Sequence, residues 1–264
     1  MKKIISALCL AALLLTSCGS VPITGRKQLN LVSDAQVLQS SLASYQSFMS
    51  SASISTQKVQ SEQVTRVGKR IAAATEAYLN ANGMSDQVKN FAWEFNLVKS
   101  NEMNAWCMPG GKIVVYEGLM SIVNSDDDLA VVLGHEVAHA VAKHANERMS
   151  QQVAASAGAK ILGAVMQGQS YNTQVIAQQV YGLGAQYGVM QPFSRSHESE
   201  ADKMGLVLMT IAGYNPQNAI SFWQKMSANS SSSTPEFLSS HPSHETRIAN
   251  LTKWVPEVKK QYGK

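Results

Sequence analysis

Two histidines four residues apart, His135 and His139, stand with Glu136 between them in an otherwise apolar stretch of this 264-residue chain. In a helix, residues four apart share a face, so both imidazoles can reach one ion. Glu136 is rotated off that face, and its carboxylate can approach a water on the ion without taking a coordination position. Zinc brings the pKa of such a water to about 7, and a neighbouring carboxylate can take its proton and pass it to a leaving amine. The surrounding residues are Leu133, Val137, Ala138, Ala140 and Val141. Two histidines and a glutamate in so apolar a helix are costly unless they pair or hold a metal. The reading is one zinc ion, with His135 and His139 as ligands and Glu136 as general base.

A catalytic zinc takes a third protein ligand. A third histidine at position 145, with a glycine at 142, would mark one class of zinc protease, but both positions are alanine. His144 follows His139 by five residues and points off the ligand face, which suits a structural or surface-exposed role. The remaining candidates are Glu198, Glu200 and Asp202, crowded together ahead of Gly205. Spacing alone does not choose among them.

Several elements must hold these groups in place. Asp126, Asp127 and Asp128 precede the histidine segment and suit the start of a helix, which the apolar periodicity carries over 129–149. Residues 31–49 and 59–79 also read as helices, the second from Val64, Val67, Ile71 and Ala74 at helical spacing. Strands are expected at 91–98, 104–108 and 112–116, the last two around the turn Pro109-Gly110-Gly111. Residues 118–123 read as a short helix or turn. Residues 150–190, rich in Ala, Gly, Gln and Ser, read as one or two helices covering the core. Further helices are expected at 193–211, 216–226 and 244–254, with a serine-rich loop at 229–234. The class is α+β and mostly helical.

The N-terminus carries a different signal. Lys2 and Lys3 precede a short apolar run over 4–15, followed by Leu15-Thr16-Ser17-Cys18. Charge, run length and small residues before a cysteine fit a bacterial lipoprotein signal peptide. Residues 1–17 are then a signal, Cys18 is the lipidation site, 18–30 form a lipid-anchored tether, and 31–264 form a single domain. Gly19, rather than aspartate, favours the outer membrane facing the periplasm. With Cys9 in the signal and Cys18 acylated, only Cys107 remains, so no intrachain disulfide framework exists. The net charge of +4 is scattered, with no basic block, which argues against nucleic acid as a partner.

The segments His-Glu-Val-Ala-His at 135–139, His-Glu-Ser-Glu-Ala-Asp at 197–202 and Ser-His-Pro-Ser-His-Glu-Thr-Arg-Ile at 240–248, with 104–119 and 21–32, resemble the HtpX-like zinc metallopeptidases. That family includes the CAAX prenyl endopeptidases and periplasmic lipoprotein members. The resemblance implies a zincin-like (gluzincin) domain with a small sheet beside the zinc helix. It implies Glu200 as the third zinc ligand, with Asp202 orienting a zinc-bound histidine and Glu198 a solvated charge or ion-pair partner. It also implies a substrate-pairing edge strand, matched here by Asn104, Ala105 and Trp106. In similar periplasmic members, the histidine matching His241 can approach the zinc and hold the enzyme latent; it can also stabilise an oxyanion. Arg247 reads as a structural ion pair, a bridge to a site carboxylate or a helix cap. The substrates implied are misfolded or misassembled envelope proteins, with the membrane surface met through the lipid. A chaperone-like assembly factor with rare or latent cutting is the alternative.

Overall fold

The computed structural model describes residues 18–183, 191–229 and 246–263. His241 therefore lies outside the described residues. The chain divides into two compact units, one of residues 38–142 and 197–264, the other of residues 1–37 and 143–196. In chain order the elements are β1 (Cys18–Ser20), β2 (Lys27–Leu29), α1 (Asp34–Ser51), α2 (Lys58–Ala81), α3 (Ser85–Val88), β3 (Glu94–Val98), β4 (Ala105–Met108) and β5 (Lys112–Tyr116). There follow α4 (Glu117–Met120), α5 (Asp126–Val141), α6 (His144–Val165), α7 (Tyr171–Leu183), α8 (Gln191–Ile211), α9 (Asn218–Ala228) and α10 (Thr246–Tyr262).

The larger unit is built around α5. This helix is buried on nearly every side, which explains why its sequence is apolar all round rather than striped. It packs against α2, α9 and β4. Its start is fixed by polar contacts. Ser125 Oγ accepts the Asp128 N–H, and the Asp128 carboxylate accepts the Asn124 N–H at 3.1 Å and the Lys225 ammonium at 2.9 Å. Burial works against the Asp128 carboxylate, yet Lys225, the Asn124 amide and Asn218 together hold its pKa below the usual value. Asp126 takes the Arg66 guanidinium, and Asp127 accepts the Asn215 N–H. Each of the three aspartates thus ties the helix to a different neighbour.

The three-stranded sheet has the order β3-β5-β4, with β3 parallel and β4 antiparallel to β5. The β4–β5 hairpin turns through Gly110 and Gly111, both at positive φ. A side chain at Gly111 would also strike the Trp93 ring. One sheet face carries Trp106, set edge-on against Tyr45 and Phe48. The opposite face of β4 presents Ala105 and Cys107 towards α5, since side chains alternate along a strand.

In the smaller unit, residues 18–30 carry local structure. β1 and β2 form an antiparallel hairpin in which Cys18 pairs with Leu29. Arg26 makes a two-pronged ion pair with the buried Glu147 at 2.9 and 2.7 Å, and the Leu31 N–H donates to Ser150 Oγ. The long helix expected over 129–149 is divided, because Lys143 takes a left-handed backbone at φ 54° between α5 and α6. Its ammonium is held by Asp34, which also accepts from Asn146. In the stretch 150–190, α6 pairs with α7, and Val153, Ile161, Val165 and Tyr171 are exposed. No described helix is long and apolar enough to cross a membrane.

Candidate metal centre

α5 and α8 bring the candidate ligands together at a crossing of two glycines. A Cβ built on Gly134 would lie 2.8 Å from the Gly205 carbonyl oxygen, and one on Gly205 would lie 2.7 Å from the His135 nitrogen. Only backbone fits there. On α8, Glu198, Asp202 and Gly205 follow one another at intervals of four and three, so they share the face turned to α5. His135 directly follows Gly134, and its ring meets that face.

The geometry is compact. His135 Nδ1 stands 2.9 Å from Asp202 Oδ1, leaving Nε2 on the other side of the ring. His135 Nε2 and His139 Nε2 are 3.1 Å apart, and Glu198 reaches them with its two oxygens at 3.3 and 3.4 Å. Zinc bonds of 2.0–2.1 Å in a tetrahedron give ligand–ligand edges of about 3.3 Å. Two imidazole nitrogens and a carboxylate oxygen at those separations fit such an ion, and the donor set suits zinc. The carboxylate in this group is Glu198, not Glu200. The reason is helical phase: two residues turn about 200°, which carries Glu200 away from the face shared by Glu198 and Asp202. Glu198 is also far from a solvated charge, being only 5% exposed.

Arg247, on α10, is buried against the same carboxylates. Its Nε donates to Asp202 Oδ2 at 2.6 Å, and Nη2 approaches Glu198 at 3.5 Å. The guanidinium lies 4.0 Å from the centroid of the Trp223 ring, which also meets His135 edge-on. Trp223 had no signal in the sequence: a tryptophan in an amphipathic helix looks like any core residue, and its stacking depends on how α9 and α10 meet.

Charge in the pocket follows from these contacts. Burial lowers the proton affinity of His135, but Asp202 and Glu198 outweigh it and take its pKa up to about 9. Glu136, 1% exposed, sits on the buried side of α5. Its negative charge adds to burial in pushing the Cys107 thiol well above its ordinary pKa, so Cys107 is a poor nucleophile and β4 runs beside Glu136.

The edge of β4 is accordingly next to the site. Asn104 O accepts the Tyr116 N–H, so the alternation of an antiparallel ladder points the main-chain groups of Ala105 and Cys107 outward. The Asn104 side chain accepts the Ala105 N–H at 2.8 Å, while Trp106 packs inward. Of the three residues expected along this edge, Asn104 caps the Ala105 N–H, Ala105 is fully buried, and Trp106 anchors the strand.

Residues 58–255 match the model of peptidase family M48. The chain is 32% identical over 243 residues to the mitochondrial metalloendopeptidase OMA1 of Schizosaccharomyces pombe, covering 90% of this chain and 66% of that protein. Against human mitochondrial metalloendopeptidase OMA1 it is 28% identical over 252 residues, covering 90% and 46%. Against the beta-barrel assembly-enhancing protease of Escherichia coli it is 29% identical over 182 residues, covering 66% and 37%. The chain spans two thirds or less of the length of these relatives.

Proposed function

This chain belongs to peptidase family M48, and we propose from that premise that it is a zinc-dependent endopeptidase, lipid-anchored at Cys18 in the cell envelope. The observation that carries the reading is the convergence of His135, His139 and Glu198 on one point, beside Glu136 on the same helix. His135, His139 and Glu198 hold the ion. When bound, zinc supplies a Lewis acid that polarises a peptide carbonyl and makes water nucleophilic at neutral pH.

The chain's own groups do the rest. Asp202 fixes the His135 ring by accepting from Nδ1, so that Nε2 faces His139 and Glu198. Arg247 holds Asp202 from the far side and balances the two carboxylates. Glu136 takes the proton of the attacking water on its carboxylate and delivers it to the leaving amine. An extended substrate adds to the edge of β4 through the main chain about Cys107, which recognises backbone rather than sequence. That mode suits unfolded or misassembled envelope proteins as substrates. The relative named as a beta-barrel assembly-enhancing protease supports an envelope setting, and the lipoprotein signal pattern at 1–17 ahead of Cys18 supports the anchor.

The deciding experiment compares wild type with Glu136→Gln on an unfolded protein substrate. The variant should keep its metal and lose about 10²–10⁴-fold in cleavage rate. Equal rates would remove Glu136 as the base. Labelling with radioactive palmitate should be lost in Cys18→Ser, and persistence of the label would remove the anchor. For latency, His241→Ala should raise basal cleavage; an unchanged rate and unchanged metal coordination would remove that role.

A further inference from the structure

We propose that the exposed apolar face of α6 is a membrane-contact surface, seated on the phospholipid bilayer that holds the Cys18 lipid; this rests on the anchor reading above. Three observations lead to it.

The first is the face itself. Met149, Val153, Ala157, Ile161 and Val165 follow one another four residues apart along α6. Their lag of about 40° per step makes one sloping apolar stripe. Val153, Ile161 and Val165 are 51, 55 and 70% exposed, and Tyr171 beyond the helix is 80% exposed. A run of large exposed apolar side chains marks a surface that meets something.

The second is charge. Between residues 149 and 194 the only charged side chain is Lys160, and there is no carboxylate. The whole chain is 15% charged, several times the share in this stretch. A helix entering the headgroup region must avoid desolvating anions, and a single lysine can keep its ammonium among phosphates while its stem lies along apolar surface. A protein-binding face has no such need to exclude carboxylates over so long a stretch.

The third is the absence of slack. The Cys18 backbone pairs with Leu29 in the hairpin, and two residues later the Leu31 N–H bonds Ser150 on α6. Arg26 in the hairpin loop is pinned to Glu147, one turn earlier on the same helix. A lipid carried on Cys18 is thus joined to a folded hairpin docked on the start of α6, with no flexible spacer between. The bilayer surface then lies against this unit, and the α6 stripe is an apolar surface among its described residues that is available to meet it.

The test uses the mature chain with Cys18→Ser, which removes the lipid, and vesicles of phosphatidylethanolamine and phosphatidylglycerol. This chain should float with the vesicles. Adding Val153→Ser, Ile161→Ser and Val165→Ser should weaken partitioning by about tenfold or more, with metal content and circular dichroism unchanged. In the acylated chain, the added emission of Ile161→Trp should be quenched by brominated acyl chains. Flotation unaffected by the serine changes, or unquenched emission in the anchored chain, overturns the surface. So does a stripe that instead drives concentration-dependent self-association without lipid. If Cys18 proves unacylated but the Cys18→Ser chain still floats through the stripe, the surface stands and the anchor falls.

Discussion

At the scale of single residues, the choice between Glu198 and Glu200 is the sharpest statement the structure makes. Glu198→Gln should lower zinc affinity by at least about 100-fold in a competition titration. Glu200→Gln should leave it within a few-fold, and the opposite result would return the ligand to Glu200. The proximity of His135 and His139 was legible because a spacing of four in a helix needs no other information. The carboxylate was not. Glu198, Glu200 and Asp202 lie within about one and a half helical turns, and all three are acids at a helix face that the local sequence leaves undefined. Which of them meets the imidazoles depends on the rotation of α8 against α5, and that is decided by contact between Gly134 and Gly205. Trp223 was hidden for the same reason, since its role under Arg247 exists only once α9 and α10 are in place.

At the scale of elements, two helices carry the site, and each has a feature that sets it. Gly205→Ala places a methyl group 2.7 Å from a backbone nitrogen of α5, closer than packing allows. The helices must part, at a cost of about 1–3 kcal/mol. The same shift draws Asp202 from His135, so zinc affinity should fall with stability; retained affinity would show that α8 can pivot without moving its ligands. The cap of α5 gives a pH signature. Asp128 has a lower pKa in the fold than in the unfolded chain. Its contribution is therefore present above the ordinary carboxylate pKa and is lost as pH falls through the folded value. Asp128→Asn should destabilise by about 2 kcal/mol at neutral pH. That gap should close as the pH drops below the carboxylate range, as denaturant titrations at several pH values would show. A constant gap would mean that the charge of Asp128 is not what holds the cap. Among the elements, the helices at 59–79 and 193–211 and the β4–β5 hairpin were readable from periodicity and turn residues. The division at Lys143 was not. A lysine in left-handed backbone has no local signature, and its ion pair with Asp34 comes from 109 residues away in the chain.

At the scale of the whole molecule, the metal centre belongs to one unit, while the hairpin and α6 belong to the other. Removing zinc with a strong chelator should raise amide exchange in α5 and in the part of α8 beyond residue 197. The amides of Leu31 and Val32, which bond Ser150, should exchange as before. Uniform loosening of both would mean that the units do not unfold separately. The division also has a consequence in time. His135 and Asp202 are 67 residues apart in sequence, and Asp202 and Arg247 are 45 apart. Two long loops must close before the pocket exists, whereas the helices that carry it form from near neighbours. In refolding, recovery of cleavage should therefore lag behind recovery of helix signal. On the proposed function, a chain emerging through a membrane would be harmless until its last helix arrives, and its order of assembly would serve as a timer on its own reactivity.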